Sequence, residues 1–284
     1  MERITVAGAG VMGREIAYIA GLNNLNVTLA DISHEQLEKA EQTISGLLHK
    51  GVEKNKIEPE QAVRVSENIG YTTDLPAAFS QADFIIEAVT EKMEIKKQVF
   101  KLMDLHSDAA TILSTNTSTM SPTELGSCTS RPEKVVAMHF FNPVHKMPLI
   151  EVVRGLETSD ETVEKTLHLA KRLKKEIVVI DESPGFVTSR ISALVGNEAF
   201  HMLQEGLGSP EEIDKAIKLG LNYPMGPFEL GDLVGLDTRL NNLDYLHSTL
   251  GERFRPAPLL VKYVKAGRLG RKSGRGVFTY TGKG

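Results

Sequence analysis

The chain has 284 residues, of which 41% are hydrophobic and 25% charged, with a formal net charge of −4 and a single cysteine, Cys128. These values describe a globular protein of one large domain or two ordinary ones. They exclude an intramolecular disulfide framework and any overall electrostatic pull toward nucleic acid or anionic membranes. No apolar run approaches the roughly 20 residues that cross a bilayer. The strand-like start leaves no room for a signal peptide, so a cytoplasmic location is expected. Cys128 sits in a polar stretch, Gly-Ser-Cys-Thr-Ser, and reads as a passive loop thiol; no metal site is expected.

Strand-like runs fall at residues 4–7, 26–30, 84–89, 111–114, 135–138, 149–153 and 177–180, with helical patterns between them at 15–22, 35–50, 92–106 and 161–174. Several of the runs are continuously apolar, as buried strands of a parallel sheet are. The alternation predicts an α/β fold, a Rossmann-type doubly wound sheet over residues 1–182. The stretch Asp181-Glu-Ser-Pro-Gly185 breaks the last strand. Beyond it, helical spacing takes over at Ile191, Leu194, Val195, Ala199, Met202 and Leu203, and Ser209-Pro210 reads as an N-cap followed by proline. A smaller all-helical domain is expected over residues 183–284.

The first strand runs directly into Gly8-Ala-Gly10-Val-Met-Gly13 and then a helix. In that setting the GxGxxG spacing is a dinucleotide fingerprint: Gly8 for the tight turn, Gly10 for approach of a pyrophosphate, Gly13 for close helix packing. The amides around Val11 and Met12 at the helix start then meet the phosphates. Asp31 ends the second strand, where an acid bonds the ribose hydroxyls and repels the extra phosphate of NADP. The expected cofactor is therefore NAD.

Polar residues at the carboxyl ends of strands face the ligand crevice of such a sheet. Three segments qualify: Ser114-Thr-Asn116-Thr-Ser118-Thr, His139-Phe-Phe-Asn142-Pro143 and Leu149-Ile-Glu151. His139 has the chemistry of a general base near neutral pH. Glu151, on an adjoining strand, is placed to accept a hydrogen bond from the other ring nitrogen and so fix the tautomer.

The stretches GAGVMG, IIEAVTE, STNTST, HFFNPVHKMPLIEVVRG, SPGFVTSR, NYPMGPFEL and GRKSGRGVF occur in order over nearly the whole chain. Together they resemble the 3-hydroxyacyl-CoA dehydrogenase family, and most of all its short-chain 3-hydroxybutyryl-CoA members. The resemblance implies hydride transfer between NAD(H) and carbon 3 of an acyl-CoA, His139 as base, Glu151 as its orienting acid, and Ser118 on the substrate's 3-oxygen. It implies that Glu91, Lys96, Asn116 and Asn142 line the nicotinamide half of the cofactor site, and that Lys272 reaches the cofactor from the end of the chain. It also implies a homodimer formed through the C-terminal domain and a place in fatty acid metabolism. Without the resemblance, Glu91 and Lys96 read as a solvated helix face, Asn142-Pro143 as a turn and Lys272 as tail charge.

One position departs from the family. Where its pattern carries an asparagine that donates to the 3-oxygen, this chain has Ser189, so slowed turnover or an altered substrate is expected. For coenzyme A, the basic group His49, Lys50, Lys54 and Lys56 at the end of a long helix could meet phosphates, with Lys54 as the candidate contact. Two other readings stay open: a dehydrogenase of a free hydroxy acid, and a non-catalytic NAD(H)-binding redox sensor.

Overall fold

The structure is a computed structural model that describes residues 3–280. The chain divides into two compact units, Met1–Glu182 and Ser183–Gly284. In chain order the first holds β1 (Arg3–Ala7), α1 (Val11–Leu22), β2 (Asn26–Ala30), α2 (His34–Glu53), α3 (Pro59–Asn68), β3 (Ile69–Thr72), α4 (Leu75–Ser80) and β4 (Phe84–Glu87). It continues with α5 (Met93–His106), β5 (Ile112–Thr115), α6 (Pro122–Gly126), β6 (Val135–Phe140), β7 (Leu149–Arg154), α7 (Asp160–Arg172) and β8 (Glu176–Asp181).

The strands form one sheet in the order β3-β2-β1-β4-β5-β6-β7-β8. All neighbours are parallel except β6 and β7, which run antiparallel. Every residue of β4, β5 and β6 is buried, the polar Glu87, Ser114, Thr115 and His139 included, and the apolar stretches before them read as buried strands. The chain leaves β1 for β2 on one side and returns to β4 on the other, so the winding reverses between β1 and β4, where sheets of this kind take their ligands at the carboxyl ends of the strands.

Three features differ from the sequence reading. The edge strand β3 and the helices α3 and α4 carry too little apolar pattern to stand out; β3 has Ile69 as its only buried residue. Strand β6 runs to Phe140, so His139 lies inside the strand, because the antiparallel partner β7 extends the ladder. The outermost strand β8 is exposed along most of its length, as an edge permits.

The second unit is helical: α8 (Thr188–Gln204), α9 (Pro210–Gly220), α10 (Pro227–Val234), α11 (Leu236–Leu250) and α12 (Pro258–Lys265). Its core gathers Phe200, Phe228, Leu236, Leu243, Leu246 and Phe254. Phe200 meets Phe228 edge-on at 5.2 Å, a favoured aromatic geometry. Ser209 and Glu212 form a reciprocal capping box at the start of α9. Among the described residues no helix is long and apolar enough to cross a membrane.

Candidate active site

The glycine loop shows why each small residue is needed. Gly8 has φ of +108°, and a Cβ there would lie 2.7 Å from the Ala88 carbonyl oxygen at the end of β4. A Cβ on Gly13 would meet the Gly8 carbonyl oxygen at 1.7 Å, so α1 could not pack so close to β1. Gly10 differs: nothing lies within 4 Å of its would-be Cβ. It is the N-cap of α1 and offers no side chain to the first amides, those of Val11 and Met12 among them. An N-terminus with uncapped amides and open space before it fits a pyrophosphate.

Asp31 is fixed against this loop. The Ala9 amide donates to its Oδ2 at 2.7 Å and the Ser33 amide to its Oδ1 at 2.8 Å. Ser33, not Asp31, caps α2. The carboxylate therefore stands beside the glycine loop, with the exposed Ile32 next in sequence, which suits the ribose of NAD and disfavours a 2′-phosphate.

This contrast gives a paired expectation. Gly10→Ala should fold with an unchanged melting temperature and bind NADH about tenfold more weakly, roughly 1.4 kcal/mol. Gly13→Ala should instead lose stability, by about 1–3 kcal/mol or more, because backbone must move. Thermal melts and NADH titrations of both variants check this.

Beyond β4 and β5 lies a connected polar cluster. Lys96 is 1% exposed, and its Nζ reaches Glu87 Oε1 at 2.8 Å, Glu87 Oε2 at 3.0 Å and Glu91 Oε2 at 3.0 Å. The solvated-face reading of Lys96 is thus overturned; it occupies an inward position of α5 in line with Val99, Phe100 and Met103. Glu91 itself is partly exposed and accepts from the Ser118 amide at 3.0 Å and from the Thr117 hydroxyl. Glu87 is fully buried and also accepts from the Thr115 hydroxyl at 2.6 Å and the Val89 amide at 2.7 Å. Burial raises the Glu87 carboxyl above its ordinary range despite the pull of Lys96. Burial works to lower the Lys96 ammonium, but the two carboxylates outweigh it and raise it.

Glu87 was not singled out from the sequence. Its signal is a carboxylate closing an otherwise wholly apolar strand, Phe84-Ile-Ile-Glu87, a place where burial demands a partner.

The antiparallel ladder of β6 and β7 sets His139 directly opposite Glu151. His139 Nδ1 lies 2.7 Å from Glu151 Oε2, and Glu151 is fully buried. Phe141 packs on the imidazole with ring centroids 4.4 Å apart. Asn116 ties the β5 turn to this strand, its Oδ1 accepting the Phe140 amide at 3.0 Å. Asn116, Ser118 and Glu91 therefore share one hydrogen-bonded region with the strand that carries His139.

Asn142 is exposed in the loop joining β6 and β7. Two ties the sequence did not reveal hold that loop: His145 Nδ1 lies 3.1 Å from Glu15 on α1, and Lys175 Nζ donates to the Val144 and Met147 carbonyls at 2.5 and 2.6 Å. Lys54 follows α2, is exposed, and among the described residues makes no side-chain hydrogen bond or ion pair. Cys128 is half-buried just beyond α6, and burial pushes its thiol up, which disfavours the thiolate form.

In the second unit, Ser189 is half-buried in the first turn of α8. Phe186, just before it, is buried with φ of 51°. Lys272 is paired with Asp237 at 2.6 Å. Among the described residues no group of three His, Cys, Asp or Glu side chains is placed to hold a metal ion.

The strand order and the helix opened by glycines put the chain among the NAD-dependent dehydrogenases of the doubly wound class. Sequence models of the NAD binding domain and the C-terminal domain of 3-hydroxyacyl-CoA dehydrogenase match residues 3–183 and 185–280. The chain belongs to the 3-hydroxyacyl-CoA dehydrogenase family. A probable 3-hydroxybutyryl-CoA dehydrogenase of Bacillus subtilis is 43% identical over 100% of this chain and 99% of its own. The crystal structure of (S)-3-hydroxybutyryl-CoA dehydrogenase from Ralstonia eutropha is 40% identical with a TM-score of 0.94, over 99% of this chain and 100% of that one. A more distant neighbour is an NAD+-dependent dehydrogenase of a formyl-hydroxy-methylpyridine carboxylic acid, 31% identical with a TM-score of 0.81 over 99% of this chain and 91% of its own.

Proposed function

We propose that the chain transfers hydride between NAD(H) and carbon 3 of a short-chain 3-hydroxyacyl-CoA, with His139 as the proton acceptor. The observation that carries the reading is the strand register that seats His139 against buried Glu151 at 2.7 Å, within a family of this activity. Glu151 orients the ring through Nδ1 and stabilises the imidazolium as it forms, and Nε2 is the atom that takes the 3-hydroxyl proton. In the reverse direction the protonated ring returns that proton to a 3-ketoacyl-CoA. Bound NAD+ supplies the hydride acceptor. The amides of α1, with Asp31, would hold the adenosine and pyrophosphate end, while Glu91, Lys96, Asn116, Ser118 and Asn142 would line the nicotinamide end, with Ser118 the contact to the 3-oxygen.

Further parts of the reading are a coenzyme A contact at Lys54, a cofactor contact at Lys272, a cytoplasmic location and a role in fatty acid metabolism. Residues 183–284 would serve as the substrate-binding and dimerisation domain of a homodimer. Exposed apolar side chains there, including Ile191, Leu207, Leu219 and Leu221, support an association surface.

Ser189 adds a quantitative expectation. An amide aimed at the 3-oxygen contributes about 2.7–4 kcal/mol where charge develops. Ser189→Asn should therefore raise kcat/KM for 3-hydroxybutyryl-CoA by roughly two orders of magnitude. No rise would mean that this serine already does the work or that the substrate lies elsewhere. The reading as a whole is tested by NAD+ reduction with 3-hydroxybutyryl-CoA against free 3-hydroxybutyrate: turnover of the thioester alone supports it, and turnover of the acid alone favours the hydroxy-acid alternative.

A further inference from the structure

Residues 141–148 join β6 to β7 and carry Asn142, and Val144 is the only side chain among them that is fully buried. A segment with so little apolar anchorage keeps one conformation only where polar ties hold it. Its ties run to two elements of the first unit. On α1, Glu15 Oε2 lies 3.1 Å from His145 Nδ1 and accepts from the His145 amide at 3.4 Å. A carboxylate accepts, so the ring nitrogen facing it is the one that carries the proton. Tyr18, on the same face of α1 as Glu15, meets the imidazole edge-on with centroids 6.2 Å apart. Just before β8, Lys175 Nζ donates to the Val144 and Met147 carbonyls at 2.5 and 2.6 Å.

The pair is largely shielded, the Glu15 side chain being 12% exposed and that of His145 25%, so solvent screens it less than a surface ion pair. Burial pulls the Lys175 ammonium below its ordinary range, and the Glu15 carboxylate draws it part of the way back. Glu15 therefore acts on both groups that grip the loop. The helix it stands on cannot give way, because α1 is packed on β1 so closely that a Cβ on Gly13 would meet the Gly8 carbonyl oxygen at 1.7 Å. Glu15 stands one turn after Val11, whose amide opens the helix toward a pyrophosphate. One rigid element thus presents the phosphate amides and, one turn on, grips the loop that carries Asn142.

We propose that Glu15 and His145 are positioning residues that lock the Asn142 loop to the cofactor helix, so that the nicotinamide end of NAD(H) is placed relative to its pyrophosphate end. This rests on the reading that Asn142 lines the nicotinamide half. Neither residue touches the reacting atoms; both act through the loop. Without the pair, the amides of α1 and Asp31 still take the ADP-ribose part of the cofactor, while the nicotinamide loses a fixed wall and must order the loop as it binds.

The experiment titrates NADH and ADP-ribose, which lacks the nicotinamide, into wild type, Glu15→Ala, His145→Ala, the double variant, His145→Asn and Asn142→Ala, with melting temperatures in parallel. Each alanine variant of the pair should bind NADH about five- to tenfold more weakly and ADP-ribose within about twofold of wild type. The ratio of the two affinities is what decides, because removing the Glu15 charge near the phosphates shifts both ligands alike. The double variant should be no worse than either single one, since the two side chains form one contact. His145→Asn, with an amide donor near the place of Nδ1, should recover most of the NADH affinity. Equal losses for both ligands, an unchanged ratio, or a lower melting temperature without a change in the ratio would make the pair merely structural and overturn the proposal. Asn142→Ala separates this from the reading beneath it. If that variant keeps the ratio while the variants of the pair lower it, the Asn142 reading fails and the positioning role stands. If Asn142→Ala alone lowers it, the proposal fails and the reading stands.

Discussion

Replacing His139 with alanine should lower kcat/KM by about two to four orders of magnitude, the usual contribution of a positioned general base, while NADH still binds. The split matters more than the loss. His139 sits on β6, whereas the cofactor loop lies between β1 and α1, so a variant that merely misfolds would lose both properties. Glu151→Gln should cost somewhat less, because the ring stays in place but its acid no longer steadies the imidazolium. It also leaves a fully buried amide where a carboxylate met His139. Steady-state rates with NADH titrations on the same preparations decide the matter. A loss smaller than tenfold in His139→Ala would remove His139 from the reaction.

Lys96→Met should be the most damaging single change to stability, about 3–5 kcal/mol, since it strands the buried Glu87 carboxylate. For a unit of this size that corresponds to a melting temperature lower by roughly 10 °C. The double variant Glu87→Gln with Lys96→Met should recover much of the loss, because no buried charge is then left unpaired. Acid should help the single variant. Glu87 is raised by burial, so the folded state takes up a proton that the unfolded chain does not, and stability rises as pH falls through that window. A melting temperature of Lys96→Met that falls with acid as steeply as wild type would contradict an ionised, stranded Glu87.

Much of the frame was legible because single strands and turns carry their own signals. Buried strands such as Phe84–Glu87 and Val135–Phe140 carry apolar residues on both faces, and a glycine loop between strand and helix has few other uses. The short edge strand Ile69–Thr72 has one buried residue, Ile69, too little for a pattern. Without the resemblance Lys96 reads as a solvated face, although its spacing from Val99, Phe100 and Met103 places it on the inward stripe of α5. Pairing across the fold was less visible. Glu15 and His145 are 130 residues apart and meet only through the sheet.

The most direct test of the account is the disappearance of NADH absorbance when purified protein is given acetoacetyl-CoA, with His139→Ala alongside. Rapid NADH oxidation that the substitution abolishes is the expected result, and it would establish both the acyl-CoA reaction and its base. Measurable NADH binding without oxidation of acetoacetyl-CoA, or oxidation undiminished in His139→Ala, would contradict it.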